Sequence, residues 1–104
     1  TANKPSFACL ASRIPYGDTI TLEKLQMVEK GEEYLKAMGL YQFRVRVHGN
    51  LARIEVEPHR IGDVAARAVE ISEYFKEIGF AYVSLDLGGY RTGSLNEVLN
   101  IQEV

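Results

Sequence analysis

Residues 41–57 read YQFRVRVHGNLARIEVE, and this stretch decides the fold. Apolar and polar residues alternate on both sides of Gly49 and Asn50, which is the period of a half-buried β-strand. Gly49-Asn50 is typical of a two-residue turn, because both residue types tolerate a positive φ. The stretch therefore predicts a β-hairpin with strands over 41–48 and 51–57, stopped by Pro58.

A tight turn determines which residues of the hairpin stand opposite each other. The apolar face would hold three cross-strand pairs, Val47 with Ala52, Val45 with Ile54 and Phe43 with Val56. We expect helices to cover that face. The other face is polar, with Arg46 opposite Arg53, Arg44 opposite Glu55, and His48 at the turn.

Helical patterns flank the hairpin. The first predicted helix runs from residue 21 or 22 to 38, capped by Thr19 or Thr21, and Gly31 in its middle indicates close approach of another element. The second runs over 61–78, with Ile61, Val64, Ala65, Ala68, Ile71, Phe75 and Ile78 on one side. The helices end alike, EYLKAMGL at 33–40 and EYFKEIGF at 73–80, and the glycine in each suits a left-handed helix end. A third strand is predicted over 81–87.

The predicted order is α-β-β-α-β, which indicates an α+β fold, a two-layer α/β sandwich with helices on one face of a small, largely antiparallel sheet. This is close to a ferredoxin-like arrangement without its first strand. We expect two parts. Residues 1–17 would be a loop that carries the cysteine motif and links to a missing N-terminal domain, and residues 18–104 would form the α+β domain.

Composition narrows the classes of partner. The chain has 104 residues, 46% apolar and 25% charged, which suits one small globular domain without a membrane span. Its net charge of −2, from 12 basic and 14 acidic side chains, gives no general attraction to nucleic acid or anionic lipid. One cysteine without a disulfide pattern is compatible with a reducing cytoplasm. Because the sequence opens on Thr1, we expect it to be part of a longer protein.

Cys9 is the first candidate for chemistry. It lies in CLASRIPYG at 9–17, between prolines that favour an ordered loop, and Arg13 follows closely. A nearby guanidinium lowers a thiol pKa and so favours the reactive thiolate. The alternative is that Cys9 is a small buried residue, as lone cysteines often are.

The polar face of the hairpin is the second candidate. Arg46 opposite Arg53 is a like-charge pair that a bound phosphate or carboxylate would relieve, and Arg44 and His48 share the face. The alternative is an exposed pair in water near Glu55 and Asp86.

The loop GGYRTGSLNE at 88–97 follows the third predicted strand and adds Arg91 to the candidate ligand-binding residues. Within the same loop, Ser94 and Glu97 read as a capping box that opens a short final helix. His48 and His59, the chain's two histidines, do not have the spacing of a zinc site, so no metal ligand is expected.

Three motifs in order, at 9–17, at 44–56 (RVRVHGNLARIEV) and at 82–97 (YVSLDLGGYRTGSLNE), carry a family resemblance. The chain resembles the C-terminal part of the ATP-dependent sacrificial sulfur transferases that mature the nickel-pincer cofactor of lactate racemase. These enzymes belong to the PP-loop ATP-pyrophosphatase superfamily. The resemblance covers almost the whole chain.

The resemblance implies that Cys9 is the sulfur donor. It would attack an adenylated carboxylate of a pyridinium carboxylate mononucleotide and end as dehydroalanine. ATP with Mg²⁺ would be bound by the missing N-terminal PP-loop domain, so this chain alone is expected to be inactive. Ser12 and Arg13 would lie next to the thiol and would bind the anionic substrate there. The substrate's phosphate and carboxylates suit Arg44, Arg46, Arg53 and Arg91.

Three alternatives stay open. Some members of the family hold an iron–sulfur cluster with several cysteines, but the single cysteine here favours the sacrificial route. The domain could instead be an assembly or anion-binding module that joins protomers through its sheet edges, and we expect a homo-oligomer. Nucleic-acid binding by the basic hairpin is disfavoured by the net acidic charge.

Overall fold

The computed structural model describes residues 7–91, and their side chains from residue 9 onward. The helices and strands are, in chain order, α1 (Phe7–Leu10), α2 (Leu22–Ala37), β1 (Phe43–His48), β2 (Leu51–Val56), α3 (Ile61–Ala65), α4 (Ala68–Glu77) and β3 (Tyr82–Leu85). A turn of 3₁₀ helix follows α1 at Ala11–Arg13, and another precedes α3 at Pro58–Arg60. The predicted two-layer α+β class is confirmed. The capping box predicted at Ser94 and Glu97 lies outside the described residues.

The hairpin has the register that its turn predicts. Val45 pairs with Ile54 and Arg46 with Arg53 in the antiparallel β1–β2 ladder. Gly49 has a φ of 61°, as a tight turn requires. On the apolar face, Val45, Val47, Ala52, Ile54 and Val56 are each at most 1% exposed, and Phe43 is partly buried. The core therefore lies between this face and the helices.

The third strand gives the sheet a mixed character. The strand order is β1-β2-β3, and β3 pairs with β2 in parallel, placing Leu85 beside Ile54. In a ferredoxin-like sheet another strand separates the two parallel strands of such a unit. Here they are neighbours, so antiparallel pairing accounts for one of the two ladders in the described part of the chain.

Helix α2 begins and ends as predicted. The Thr21 side chain accepts a hydrogen bond from Lys24 N at 3.1 Å, and the helix closes into Gly39, whose φ is 90°. Gly31 is confirmed as a point of close approach, because a Cβ there would lie 2.8 Å from Cε2 of Phe75 in α4. The glycine thus lets α2 and α4 pack against each other.

The prediction of one continuous helix over 61–78 is wrong in its middle. Arg67 has φ −107° and ψ 27°, and its N–H donates to Val64 O, three residues back, so the α-helical pattern stops between α3 and α4. Ala65 and Ala68, predicted for the buried side, are exposed. Alanine suits a helix interior locally, but the two short helices bury other residues, Val64 in α3 and Ile71 and Phe75 in α4.

Within residues 7–91, no helix is long and apolar enough to cross a membrane.

Candidate functional site

Cys9 lies in a short helical segment rather than in the loop that the flanking prolines favour. Helix α1 runs directly into the 3₁₀ turn, and the Cys9 carbonyl oxygen accepts hydrogen bonds from Ser12 Oγ at 2.7 Å and Arg13 Nη1 at 2.9 Å. Leu10 and Ile14 are buried, whereas Cys9 is exposed. The alternative of a buried Cys9 is wrong, because the adjacent Leu10 takes the core position.

A buried ion pair anchors this segment, here called the Cys9 turn (residues 7–14). Arg13 forms a two-pronged contact with Glu32 of α2, through Nε to Oε2 at 2.8 Å and Nη2 to Oε1 at 3.0 Å. Glu32 Oε2 also accepts from Val45 N at 3.0 Å, on the outer edge of β1. Arg13 and Glu32 are each 7% exposed. One carboxylate therefore ties the Cys9 turn, α2 and the sheet together.

Ser12 and Arg13 are fixed beside the Cys9 backbone, and that they bind the substrate or another anion stays a prediction. Arg13 Nη1 donates to the Cys9 carbonyl and, at 2.9 Å, to Ser12 Oγ, while Glu32 balances its charge. A paired guanidinium has less effect on a nearby thiol than an unpaired one. That Arg13 lowers the pKa of the Cys9 thiol stays a prediction.

Sequence reasoning missed Glu32. The available signal was its place on the apolar side of α2, four residues after Val28 and three before Leu35, both fully buried. A carboxylate at such a position needs a buried partner, because an unpaired buried charge is costly.

On the polar face of the hairpin, a carboxylate separates the two opposed arginines. Glu55, whose side chain is fully buried, accepts from Arg46 Nε at 3.2 Å and from Arg53 Nη1 at 2.6 Å. Arg53 Nη1 also contacts Asp86 Oδ2 at 2.7 Å. The like-charge conflict is thus relieved by the two carboxylates that the alternative named. The same alternative placed the pair in water, whereas Arg46 is buried.

Burial lowers the pKa of two groups on the polar face of the hairpin. Desolvation lowers the pKa of Arg46, Glu55 opposes that effect, and the charges of Arg13 and Arg44 lower it further. Glu32 contacts both Arg13 and Val45 N, so the Cys9 turn lies close to the part of β1 that carries Arg46. Burial, followed by the charge of Arg53, lowers the pKa of His48, whose Nε2 accepts from Arg53 Nε at 3.2 Å.

Arg44 and Arg91 complete the face. Arg44 Nη1 donates to Phe43 O at 2.7 Å, and its Cζ lies 5.1 Å from the centre of the Tyr90 ring. Among residues 9–91, no carboxylate forms an ion pair with Arg44. Arg91 Nη1 contacts Asp86 Oδ2 at 3.4 Å.

We define the arginine face as Arg44, Arg46, Arg53 and Arg91 together with Glu55 and Asp86. Among the residues that the structure describes, this face has four guanidinium groups and two carboxylates, and that it binds an anion stays a prediction. Across the part of the chain that the structure describes, no three His, Cys, Asp or Glu side chains are grouped as metal ligands.

Three proteins with similar sequences were found, and no family model matches the chain. An uncharacterized protein of Synechocystis sp. is 48% identical over 99 residues, covering 93% of this chain and 37% of that protein. The pyridinium-3,5-bisthiocarboxylic acid mononucleotide synthase of Lactiplantibacillus plantarum is 40% identical over 97 residues, covering 93% and 35%. An uncharacterized protein of Methanocaldococcus jannaschii is 34% identical over 88 residues, covering 85% and 34%.

The chain spans about a third of the length of these relatives. Over nearly its whole length it is thus similar to part of a protein named as a pyridinium bisthiocarboxylic acid mononucleotide synthase.

Proposed function

We propose that this chain is the cysteine-bearing C-terminal part of a sulfur transferase in nickel-pincer cofactor synthesis, and that Cys9 is its sulfur donor. One observation carries the proposal. In a chain 40% identical to a synthase named for a bisthiocarboxylic acid product, the single cysteine is exposed on a turn held by a buried ion pair. A nucleophile must be reachable and held in place, and the Cys9 turn meets both needs.

The proposed reaction has two steps. The Cys9 thiolate attacks an activated carboxylate carbon of the substrate, a carbon–sulfur bond forms, and the activating group leaves. The Cβ–Sγ bond of Cys9 then breaks as a proton leaves Cα, so the sulfur stays on the product as a thiocarboxylate and position 9 becomes dehydroalanine. No external reductant or oxidant is needed.

The arginine face is proposed to bind the anionic groups of a pyridinium carboxylate mononucleotide. Charge-assisted hydrogen bonds from guanidinium to phosphate or carboxylate are strong and directional. Arg44 is the best placed of the four, because Arg46 and Arg53 both contact the buried Glu55. The face lies near the Cys9 turn, because Glu32 contacts both Arg13 of that turn and the N–H of Val45, which precedes Arg46 in β1.

The remaining parts of the proposal lie beyond this chain. ATP with Mg²⁺ would activate the substrate in an N-terminal PP-loop domain, and that domain would dock so that its product reaches Cys9. We propose a cytoplasmic homo-oligomer, without nucleic-acid or membrane partners, and no resident metal on this chain.

The test replaces Cys9 in the full-length protein that the proposal assumes. Cys9→Ala should abolish thiocarboxylate formation while AMP release from ATP continues, because adenylation does not use the thiol. Mass spectrometry of the unaltered protein after turnover should find dehydroalanine at position 9. Thr19→Ala, at an exposed residue near the Cys9 turn, is the matched control and should keep activity. A Cys9→Ala protein that still yields thiolated product rules out the donor role.

One observation favours the second candidate, an assembly module. In the described sheet β3 pairs on one side only, whereas the outer edge of β1 is covered at Val45 by Glu32. An uncovered edge can pair with a second copy. Sedimentation of the chain at high concentration tests this, and a purely monomeric species would remove the candidate without affecting the proposed sulfur transfer.

A further inference from the structure

The turn after β3 is held firmly over the arginine face. Tyr90 N donates to Val56 O at 2.7 Å, and Arg46 Nη2 donates to Arg91 O at 3.2 Å. Gly89 has a φ of 82°, and a Cβ there would lie 3.0 Å from both Val56 O and Pro58 Cγ. The backbone on both sides of Tyr90 is therefore fixed to β1 and β2.

The Tyr90 ring contacts the arginine that lacks a carboxylate among the described residues. The Arg44 guanidinium carbon lies over this ring, and one of its five N–H groups, on Nη1, donates to Phe43 O. A ring face attracts a guanidinium and leaves its edge, where the N–H groups lie, available to other acceptors. Such a contact restricts a long side chain without neutralising it.

We propose that Tyr90 is a positioning residue that holds Arg44 ready to bind an oxyanion. This inference rests on the proposed anion-binding role of the arginine face. An arginine already ordered in the unbound protein loses less conformational entropy when the anion arrives. Tyr90 therefore acts through Arg44 and need not touch the anion. The turn at 86–91 becomes part of the site for this reason.

A merely structural role for Tyr90 would have other consequences. If the ring only closed the turn, its loss would lower stability and leave the affinity of the folded protein for anions unchanged. The two roles are separated by the NMR signal of Arg44 Hε, which the Tyr90 ring current should shift upfield, and by titration with inorganic phosphate.

The experiment titrates the whole 104-residue chain with inorganic phosphate and follows the Arg44 Hε signal. In the unaltered chain, phosphate should move this signal. Tyr90→Leu should remove the upfield shift and weaken phosphate binding roughly two- to twelve-fold, the effect of about 0.5–1.5 kcal/mol for ordering one long side chain. Tyr90→Phe keeps the ring and should retain both properties. Tyr41→Leu, at an 84% exposed tyrosine, is the control and should change neither.

The outcomes separate the positioning role of Tyr90 from the proposed anion-binding role of the arginine face. If Arg44→Gln weakens phosphate binding and a folded Tyr90→Leu does not, the positioning role of Tyr90 is wrong and the anion site stands. If Arg44→Gln leaves the affinity unchanged, both are wrong. If Tyr90→Leu fails to fold, the spectrum of the unaltered chain tests the inference. The inference is wrong if the Arg44 Hε signal shows no ring-current shift, or if phosphate does not move that signal.

Discussion

Replacing Glu32 with alanine tests whether the buried ion pair holds the Cys9 turn on the domain. The change removes both contacts to Arg13, at 2.8 and 3.0 Å, and the acceptor of Val45 N. Arg13 would keep its charge at a site where it is 7% exposed, without a carboxylate to balance it.

The expected loss is large for a single substitution. Removing one partner of a buried pair costs about 3–5 kcal/mol, because the remaining charge stays desolvated. A small domain is stable by only about 5–15 kcal/mol, and each kcal/mol shifts its Tm by roughly 4–8 °C. Glu32→Ala should therefore lower the Tm by at least about 12 °C.

Urea unfolding followed by circular dichroism measures the free energy of unfolding, and thermal unfolding followed in the same way measures the Tm. Glu32→Gln keeps an acceptor oxygen but not the charge. Its free energy of unfolding should fall by less, about 1–3 kcal/mol. Gln26→Ala, at an exposed position of the same helix, is the matched control and should stay within about 0.5 kcal/mol of the unaltered chain. If Glu32→Ala also stays within that margin, the anchor contributes nothing and the account of the Cys9 turn is wrong.

Two further predictions concern the core and the arginine face. Gly31→Ala should lower the free energy of unfolding by about 1–3 kcal/mol, because the new Cβ would lie 2.8 Å from the Phe75 ring. The better helix propensity of alanine offsets part of this loss. An unchanged midpoint of urea unfolding would contradict the close packing at Gly31. Burial opposes ionisation of Asp86, yet hydrogen bonds from Gly88 N and Arg53 and the charge of Arg91 hold its pKa below the usual 3.8. A lowered folded-state pKa stabilises the fold above the ordinary pKa, and that stability is lost as pH falls below it. Asp86→Asn should thus flatten the acid limb of a stability-versus-pH curve, and the same slope as in the unaltered chain would contradict this linkage.

Much of the fold was predictable because its signals are local. The turn at Gly49-Asn50 and the alternation around it predicted the β1–β2 register residue by residue, since a one-residue slip would expose every buried side chain of a strand. The Thr21 cap and the glycines at positions 39 and 79 predicted where the helices begin or end. The helix break at Arg67 was not predictable from an alanine-rich segment, because local propensity favours continuation there.

The sequence predicted which arginines share the polar face of the hairpin but not which carboxylates they contact. The hairpin pattern placed Arg46 and Arg53 opposite each other, and the structure confirms it. Whether an anion or a carboxylate lies between them depends on which side chains reach the pair, and Glu55 takes that place in the structure. Glu32 was missed for the same reason, since its partner Arg13 lies on a different element.

The sequence by itself determined the first long helix, the three strands and the hairpin register, because these depend on neighbouring residues and on periodicity. Only the tertiary structure decided that β3 runs parallel to β2, that Glu32 joins the Cys9 turn to β1, and that Tyr90 lies against Arg44. Each of these contacts joins residues far apart in the chain. Long-range contacts depend on how whole elements pack and exclude water, and local propensity carries no information about that choice.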